Sequence, residues 1–350
     1  MREQTMLETL PDEETARHCD MASLVYVEDR SPGITRRILR GKFCYFDPTG
    51  ERIRDAAVVK RLNALVIPPA YTDVWICPDE NGHLQATGRD ARGRKQYRYH
   101  AQWQAVRGAD KYGQLIEFGT ALPRIRRRVG RDLLRAELCH DKVVAVVVRL
   151  LETTLIRIGT AAYAKENKSY GLTTLRRQHV TVSGNTIRFR FRGKSGVPHD
   201  VKLSDRRLAR VVRSCSDLRG QTLFHYLEEE VARPVDSSCV NAYLRDASMA
   251  DFTAKHYRTW AASVYALAAL RNQPWEDEKQ AARVVVGVVR EVAQRLGNTP
   301  AVCRSCYIHP AVLEAYLKGA LSVAATGNSP RGLNADERRL LAFLRTQAAA

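Results

Sequence analysis

Alternating apolar and polar positions characterise the first third of the chain, after a polar start. Residues 1–20 are mostly polar and show little periodicity, which predicts a loosely ordered tail. Apolar and polar residues then alternate at 43–45, and a hairpin is predicted where the segments 72–77 and 83–87 flank a Pro-Asp-Glu-Asn-Gly turn. The pattern therefore predicts a small β-rich domain over residues 21–105.

The remainder, residues 106–350, is dominated by apolar positions at helical spacing. An aliphatic stripe runs from 143 to 151, and the segments 253–272 and 277–296 predict two further long helices. Between them, residues 181–192 alternate on both sides of a Ser-Gly-Asn turn, which predicts a hairpin. The expected fold class is α+β, with a small mixed β-rich amino-terminal domain and a larger, mostly helical domain that contains a small antiparallel sheet.

The chain carries a large positive charge. Its 350 residues include 56 Lys and Arg against 38 Asp and Glu, which gives a formal net charge of +18 and a pI of about 9.8. Such an excess repels itself unless a polyanion neutralises it, so nucleic acid is favoured over a small acidic substrate as the partner. A membrane is disfavoured, since no apolar run approaches the about 18 residues of a spanning helix and no signal-like segment follows Met1.

Eight cysteines are scattered along the sequence. A protein of this size does not need disulfides to fold, so the composition indicates a reducing cytoplasm. Cys303 and Cys306 are close in sequence, but no second Cys or His pair lies beside them, and we interpret both as small packing residues. No phosphate-binding Gly-rich loop or carboxylate cluster is apparent either. We therefore expect no metal site and no cofactor.

Tyr307 is the candidate nucleophile. A free phenol has a pKa of about 10, so it needs nearby cations or a proton acceptor to attack efficiently at neutral pH. Arg157, Lys194 and Arg258 are well spaced upstream, and cations around an attacked phosphodiester stabilise the charge that develops on its oxygens. The pattern is typical of a tyrosine that cuts a nucleic acid strand. The alternative is an amphipathic tyrosine that packs.

Each cation also has an ordinary interpretation. Arg157 interrupts an apolar helix end, where an unpaired charge is costly to bury, so it requires a carboxylate or a phosphate. Arg258 is predicted on the polar side of its helix, where a solvated arginine is the alternative. Lys194 lies in a Gly-flanked turn after a strand whose outward Arg190 and Arg192 can contact phosphates. Its ammonium could protonate a departing 5′ oxygen, and a solvated loop lysine is the alternative.

Several of these residues lie in motifs that together resemble one enzyme family. The motifs are Arg157-Ile158-Gly159, Lys165-Glu166-Asn167, Gly171-Leu172-Thr173-Thr174-Leu175, His179, Gly193-Lys194, His199, Lys255-His256-Tyr257-Arg258 and Leu296-Gly297-Asn298-Thr299-Pro300 followed by Tyr307. We interpret the two histidines, His179 and His199, as structural or peripheral and not as catalytic. In order and spacing the motifs are similar to the poxvirus and bacterial branch of the type IB DNA topoisomerases, which share a catalytic domain with the tyrosine recombinases. A second run, from Gly88 to Tyr99, is similar to the segment of the family's amino-terminal domain that lies on DNA.

The resemblance implies a reaction and a role for each residue. Supercoiled duplex DNA would be relaxed, without ATP, by transient cleavage of one strand through a 3′-phosphotyrosyl intermediate, strand rotation and religation. Tyr307 matches the nucleophile, Arg157 and Arg258 the arginines that hold the scissile phosphate, and Lys194 the general acid. Asn298 stands where many members have histidine, and because an amide donates a hydrogen bond but carries no charge, its implied role is positioning. The family also implies a monomer that closes on DNA as a C-shaped clamp, located at the nucleoid in a bacterial cytoplasm.

A wider set of residues is expected to contact DNA. In the amino-terminal segment the cations supply phosphate contacts, and an amide and two tyrosines can reach base edges or sugars. The expected set is Arg89, Arg92, Arg94, Lys95, Gln96, Tyr97, Tyr99, Tyr163, Lys165, Arg190, Arg192 and Lys255. A solvated basic loop is the alternative for the amino-terminal segment.

Two other functions are compatible with parts of the pattern. A site-specific tyrosine recombinase or integrase uses the same phosphotyrosine chemistry, but such enzymes usually have histidine three residues before the second arginine, where this chain has Lys255. They also usually have a helical amino-terminal domain. A non-enzymatic basic protein that organises DNA would share the strongly salt-dependent binding, so binding alone does not separate these functions.

Overall fold

The computed structural model describes residues 11–218, 220–321 and 330–349. The chain forms two compact units, Met1–Tyr112 and Gly113–Ala350. The sequence predicted a change of domain after residue 105, and the units divide after Tyr112, within a long helix. The predicted α+β class is confirmed, because the first unit is built on an antiparallel sheet and the second is mostly helical.

The first unit is organised around a five-stranded antiparallel sheet. Its elements are α1 (Glu13–Ala22), β1 (Ile34–Leu39), β2 (Lys42–Phe46), α2 (Ala56–Ala64), β3 (Thr72–Ile76), β4 (Leu84–Arg89) and β5 (Lys95–Tyr99). The strand order is β2-β1-β3-β4-β5. Alternate residues of the strands, such as Ile34, Val74 and Ile76, form a small core with Leu62 of α2. The hairpin predicted at 72–77 and 83–87 corresponds to β3 and β4.

The part of the expected tail that the structure describes is helical. The side chain of Asp12 accepts a hydrogen bond of 2.7 Å from the backbone N–H of Thr15 and so caps α1. Cys19 and Ala22 are buried and pack in one cluster with Trp103. A long-range contact thus orders a segment whose own composition is polar. Residues 1–10 lie outside the described residues.

The second unit contains most of the helices. The elements in and leading into it are α3 (Ala101–Asp132), α4 (His140–Thr154), α5 (Ala161–Asn167), β6 (Val180–Ser183), β7 (Thr186–Arg192), β8 (Pro198–Ser204), α6 (Arg206–Asp217), β9 (His225–Glu228), β10 (Val231–Pro234), α7 (Ser237–Ser248), α8 (Ala254–Leu270), α9 (Glu278–Leu296), α10 (Pro300–Cys306), α11 (Pro310–Leu317) and α12 (Ala335–Ala349). Helix α4 is apolar on almost every face and lies at the centre of the core, in contact with α6, α7 and α8.

The predicted helices at 253–272 and 277–296 are α8 and α9, and the predicted hairpin at 181–192 is β6 and β7. These two strands and β8 form an antiparallel sheet in the order β6-β7-β8. Along β7 the apolar residues are buried and the arginines are exposed, as the alternation predicts. In the described part of the chain, no helix has the length and apolar character needed to cross a membrane.

A partly buried ion-pair network fastens α12 to the core. Arg126 Nη2 lies 2.6 Å from Glu337 Oε1, and Arg126 Nε lies 2.6 Å from Glu152 Oε1. Trp260 Nε1 also donates to Glu337, at 3.4 Å. Burial acts to raise the pKa of Glu337, but the hydrogen bonds from Arg126, a hydrogen bond from the backbone N–H of Asn334 and the charge of Arg126 outweigh it and lower that pKa. Arg126 therefore stabilises the negative charge of the enclosed Glu337 carboxylate.

We expect Arg126→Ala to lower the free energy of unfolding by about 3–5 kcal/mol, because it leaves the buried carboxylate of Glu337 without its cation, whereas Glu152 keeps its ion pair with Arg149 at 3.3 Å. Denaturant unfolding at neutral pH measures the loss, and Arg127→Ala, an exposed neighbour on α3, should change stability by no more than about 0.5 kcal/mol. The depressed pKa of Glu337 means that its contribution is present above its ordinary value of 4.5 and is lost as the pH falls. The difference between wild type and Arg126→Ala should therefore shrink in acid, and a difference that grows there would contradict this assignment.

Candidate active site

The candidate nucleophile and the three candidate cations line one cavity of the second unit. The cavity has a volume of about 320 Å³. Its lining includes Arg157, Tyr163, Lys194, Lys255, Arg258 and Tyr307. Residues that are far apart in sequence therefore converge at one place, as a shared reaction requires. Ser169 and Tyr170 also line the cavity. Sequence reasoning missed them, and only their nearness to Lys165 in sequence could have indicated them.

Arg157 lies just beyond the end of α4. The backbone N–H of Leu172 donates to the carbonyl of Arg157 at 2.8 Å, and that of Thr173 donates to the carbonyl of Ile158 at 2.9 Å. These bonds fix the segment that carries the guanidinium. Arg157 Nη2 donates in turn to Asn298 Oδ1. The half-buried guanidinium is thus oriented by a neutral amide, and no carboxylate in the described residues forms an ion pair with it.

Arg258 is buried, which corrects the expectation that it lies on the polar side of its helix. The residue is 3% exposed, and its Nη1 and Nη2 donate to the backbone carbonyls of Leu155 and Leu296, the latter at 2.8 Å. Helix α8 is buried on nearly all sides around this residue, so helical spacing does not define a solvent face there. Burial, followed by the charge of Arg157, lowers the pKa of Arg258. Two carbonyls therefore hold a desolvated cation beside Arg157.

Tyr307 follows α10 directly and lies against Arg258. The guanidinium carbon of Arg258 is 5.1 Å from the centre of the tyrosine ring. Burial acts to raise the pKa of Tyr307, but the charges of Arg258 and Arg157, a hydrogen bond from Arg258 and the charge of Lys194 together lower it. In the described part of the chain, each other tyrosine with a clearly shifted pKa has it raised, with burial as the largest cause. A lowered pKa increases the fraction of phenolate, which is the better nucleophile.

Two buried donors in the site lack hydrogen-bond partners among the described residues. They are Nε of Arg258 and Nδ2 of Asn298. Asn298 is placed by the end of α9, where its backbone N–H donates to the carbonyl of Ala293 at 2.9 Å. Buried donors are rarely left unsatisfied, because desolvation without a partner costs about 1–3 kcal/mol. An anion that accepts from both groups would satisfy them.

Lys194 approaches the cavity from the turn between β7 and β8. The turn is a short 3₁₀ segment that follows Gly193, and Ser195 within it has φ of 65°. The lysine side chain is exposed and contributes to the lining of the cavity. Cys303 is buried beside the site, but Cys306 is exposed, so the expectation that both cysteines pack is wrong for Cys306.

The predicted DNA-binding segment of the first unit forms the β4–β5 hairpin, and several of its cations lie beside carboxylates. Arg94 Nη2 is 2.7 Å from Asp90, Lys95 Nζ is 2.5 Å from Asp29, and Arg89 Nε is 3.4 Å from Asp73. These pairs mean that the hairpin's charge is partly neutralised within the unit itself. Phosphates would have to compete with the carboxylates for these groups.

The predicted DNA-binding residues of this hairpin differ in how far their side chains are exposed. Gln96 Nε2 donates to Asp90 at 3.0 Å, whereas Arg92 is exposed. Tyr97 is 51% exposed and stacks on Tyr99, which is itself half-buried, with ring centres 6.1 Å apart. Of the aromatic pair, Tyr97 therefore offers more surface to a ligand.

The predicted DNA-binding residues of the second unit fall into two groups. Tyr163 and Lys255 line the cavity with the candidate catalytic residues. Arg190 and Arg192 lie on the exposed face of β7, and Lys165 is exposed on α5 outside the cavity lining. The structure therefore brings two of the five into the site.

One cluster in the first unit has the composition of a metal site. Glu14, His18 and Asp110 place ligand atoms within 4.8 Å of one another. Arg17 and His18 each approach the same oxygen of Asp110 at 3.0 Å. These contacts tie α1 to α3, and we assign the cluster this structural role.

Comparison with known proteins adds to this geometry. A family model for the catalytic core of eukaryotic DNA topoisomerase I matches residues 100–326, and one for the N-terminal domain of bacterial DNA topoisomerase IB matches residues 42–90. DNA topoisomerase 1B of Acanthamoeba polyphaga mimivirus is 30% identical over 296 residues, which cover 81% of this chain and 87% of the viral protein. DNA topoisomerase 1B of vaccinia virus (strain Copenhagen) is 22% identical over 275 residues, or 77% of this chain and 82% of the relative. The chain therefore belongs to the type IB DNA topoisomerase family and is an isomerase that acts on duplex DNA.

Proposed function

We propose that this protein relaxes supercoiled DNA, without ATP, by cutting one strand through a 3′-phosphotyrosyl bond to Tyr307 and then resealing it. The observation that carries the proposal is the position of Tyr307 among Arg157, Lys194 and Arg258, with a phenol pKa that these cations lower. A tyrosine that served only in packing would not require three cations around its phenol. Membership of the family supports the same reaction.

In the proposed complex the scissile phosphate lies between the two arginines and Asn298. Its non-bridging oxygens accept hydrogen bonds from Arg258 Nε and Asn298 Nδ2, the two buried donors that otherwise have no partner in the described residues. Arg157, oriented through Asn298 Oδ1, adds a second positive charge. Negative charge grows on these oxygens as the phenol attacks, so fixed donors stabilise the transition state more than the ground state.

Cleavage exchanges one ester bond for another. The phenolic oxygen of Tyr307 forms a bond to phosphorus, and its proton passes to solvent. The bond from phosphorus to the 5′ oxygen breaks. That oxygen keeps the electron pair of the broken bond and receives a proton from the ammonium of Lys194. Religation runs the same steps backwards, with the neutral amine of Lys194 accepting the proton. The phosphotyrosyl bond conserves the energy of the original ester, so ATP is not required.

Duplex binding is proposed to involve both units of a single chain. Arg190 and Arg192 on the open face of β7 would contact the backbone near the site, as would Tyr163, Lys165 and Lys255. The amino-terminal hairpin would supply further contacts through the remaining predicted residues. The C-shaped clamp stays a prediction.

We also propose that this is a bacterial cytoplasmic protein that acts at the nucleoid. The match to a bacterial amino-terminal domain supports this proposal.

A relaxation assay tests the proposed function and separates it from recombination and from architectural binding. Supercoiled plasmids of unrelated sequence should be relaxed in EDTA without ATP, in successive steps of linking number. Reaction only when two specific sites are present would favour a recombinase. Salt-dependent binding without any relaxation would favour the architectural protein.

The role of Asn298 gives a separate prediction. Asn298→Asp keeps the oxygen that accepts from Arg157 but replaces the Nδ2 donor with a negatively charged oxygen. Single-turnover cleavage should slow by at least about 10²-fold, as for loss of an oxyanion donor in other enzymes. Asn272→Asp, an exposed change two residues beyond the end of α8, is the matched control. Cleavage by Asn298→Asp at the control rate would contradict a phosphate contact by this amide.

A further inference from the structure

One imidazole lies between the turn that carries Lys194 and the helix end that carries Asn298. It belongs to His199 of β8, which is directly opposite Phe191 of β7 in the sheet. The two rings stack with centres 4.9 Å apart and planes 4° from parallel. Stacking on a buried phenylalanine fixes the orientation of the imidazole.

The first contact of the imidazole is with Gly193, the residue before Lys194. A Cβ atom at position 193 would lie 2.5 Å from Nε2 and 2.6 Å from Cδ2 of His199. The backbone of Gly193 has φ of −89° and ψ of −167°, which any amino acid can adopt. Glycine is therefore required here because the imidazole occupies the space of a side chain.

The second contact is with Gly297, the residue before Asn298. A Cβ atom there would lie 2.6 Å from Cε1 and 3.3 Å from Nε2 of His199. Gly297 also ends α9 in the left-handed conformation, with φ of 59°. The imidazole thus touches two backbone segments, each one residue away from a group to which we assign a role at the phosphate.

The electrostatic surroundings favour an uncharged ring. Burial lowers the pKa of His199, and the charges of Arg157 and Arg258 lower it further. A neutral imidazole adds no repulsion to a site that already holds three cations. Its effect on the two segments is then one of shape and packing.

We infer that His199 is a positioning residue, whose imidazole sets the separation between the Lys194 turn and the Asn298 end of α9. Without the ring the turn loses the contact that seats Gly193, and the lysine no longer stays aligned with the departing oxygen. The inference rests on the proposed function of Lys194. It differs from a general role in stability, because the loss should fall on the protonation step.

The test compares two DNA substrates that differ in one atom. One has the ordinary 5′ oxygen at the scissile bond and the other has sulfur, which leaves as a thiolate and needs no proton. We expect His199→Ala to slow single-turnover cleavage of the oxygen substrate by about 10-fold to 10²-fold, as for misalignment of a catalytic group, and to slow the sulfur substrate by a smaller factor. His199→Gln, which can reach the position of Nε2, should recover part of the rate.

A matched control and a double variant separate positioning from folding. Val201→Ala removes a half-buried side chain two residues further along β8, on the same side of the sheet, and should affect both substrates equally. In a Lys194→Ala background, His199→Ala should slow cleavage by a smaller factor than it does in the wild-type protein, because the lysine that the imidazole aligns is already absent. If His199→Ala does not fold, His199→Gln carries the same comparison.

Two outcomes would overturn the inference. One is cleavage of the oxygen substrate by His199→Ala within about twofold of the wild-type rate. The other is an equal loss on both substrates, which would indicate general destabilisation. Failure of the wild-type protein to form a covalent adduct with either substrate is a different result, and it would contradict the proposed function instead.

Discussion

Tyr307→Phe is expected to abolish strand cleavage and plasmid relaxation while leaving affinity for duplex DNA nearly unchanged. The substitution removes the attacking oxygen and keeps the ring that lies against Arg258. Loss of a nucleophile in other enzymes lowers the rate by about 10⁴-fold or more, so no residual relaxation should be seen in a standard assay. Relaxation gels, denaturing gels for the covalent adduct and a binding isotherm measure the three quantities.

A second tyrosine provides the control for this substitution. Tyr265 lies on the same helix as Arg258, is 37% exposed and does not line the cavity. Tyr265→Phe removes the same atom and should relax plasmids at the wild-type rate. Relaxation by Tyr307→Phe as fast as by Tyr265→Phe would mean that another group attacks the phosphate.

Lys194→Ala is expected to slow cleavage of ordinary DNA by about 10²-fold to 10⁴-fold, the range for loss of a general acid. The 5′ oxygen would then have to leave as an alkoxide, without the proton that the ammonium supplies. With sulfur at the leaving position the need for a proton disappears, and the variant should cleave at close to the wild-type rate. Single-turnover kinetics on the two substrates give both numbers.

The control for Lys194→Ala removes one positive charge from β8, the strand that follows the Lys194 turn. Lys202 is exposed on β8, opposite Arg188. Lys202→Ala should change the cleavage rates of the oxygen and sulfur substrates by the same factor. An equally large loss for Lys194→Ala on oxygen and sulfur would contradict a general acid. It would assign the lysine to stabilisation of the phosphate alone.

Elements with local signals could be predicted from the sequence. Helix α9 has Asp277 as its N-cap and Gly297 at its end, and α8 begins after Thr253, so capping chemistry defines their limits. Alternation along β7 likewise predicted which side is buried. Each of these features depends on residues within one turn or one hairpin.

Features that depend on tertiary contacts could not be predicted in this way. Helix α1 is polar in composition and is ordered by contact with Trp103. The burial of Arg258 follows from helices packed around α8. In the amino-terminal hairpin, the pair between Arg94 and Asp90 is local, but Asp29, which pairs with Lys95, comes from a distant part of the chain.

The residues of the candidate site could be identified from sequence motifs. The geometry of the site could not be predicted from those motifs. Order and spacing named Tyr307, Arg157, Lys194, Arg258 and Asn298. They gave no indication that Arg157 donates to the oxygen of Asn298, or that the amide nitrogen is left as a buried donor. That arrangement gives the asparagine a definite proposed role in place of the histidine of many family members.

The bond between protein and cut DNA is the most direct test of the central claim. The wild-type protein would be trapped on a duplex from which the cut strand cannot be resealed, digested with nuclease and trypsin, and analysed by mass spectrometry. The account predicts a nucleotide joined through its 3′ phosphate to Tyr307 in the tryptic peptide 305–318, with fragmentation distinguishing it from Tyr316. The released strand should carry a 5′ hydroxyl. Attachment to another residue, a 5′ linkage, or cutting without any covalent adduct would contradict the account.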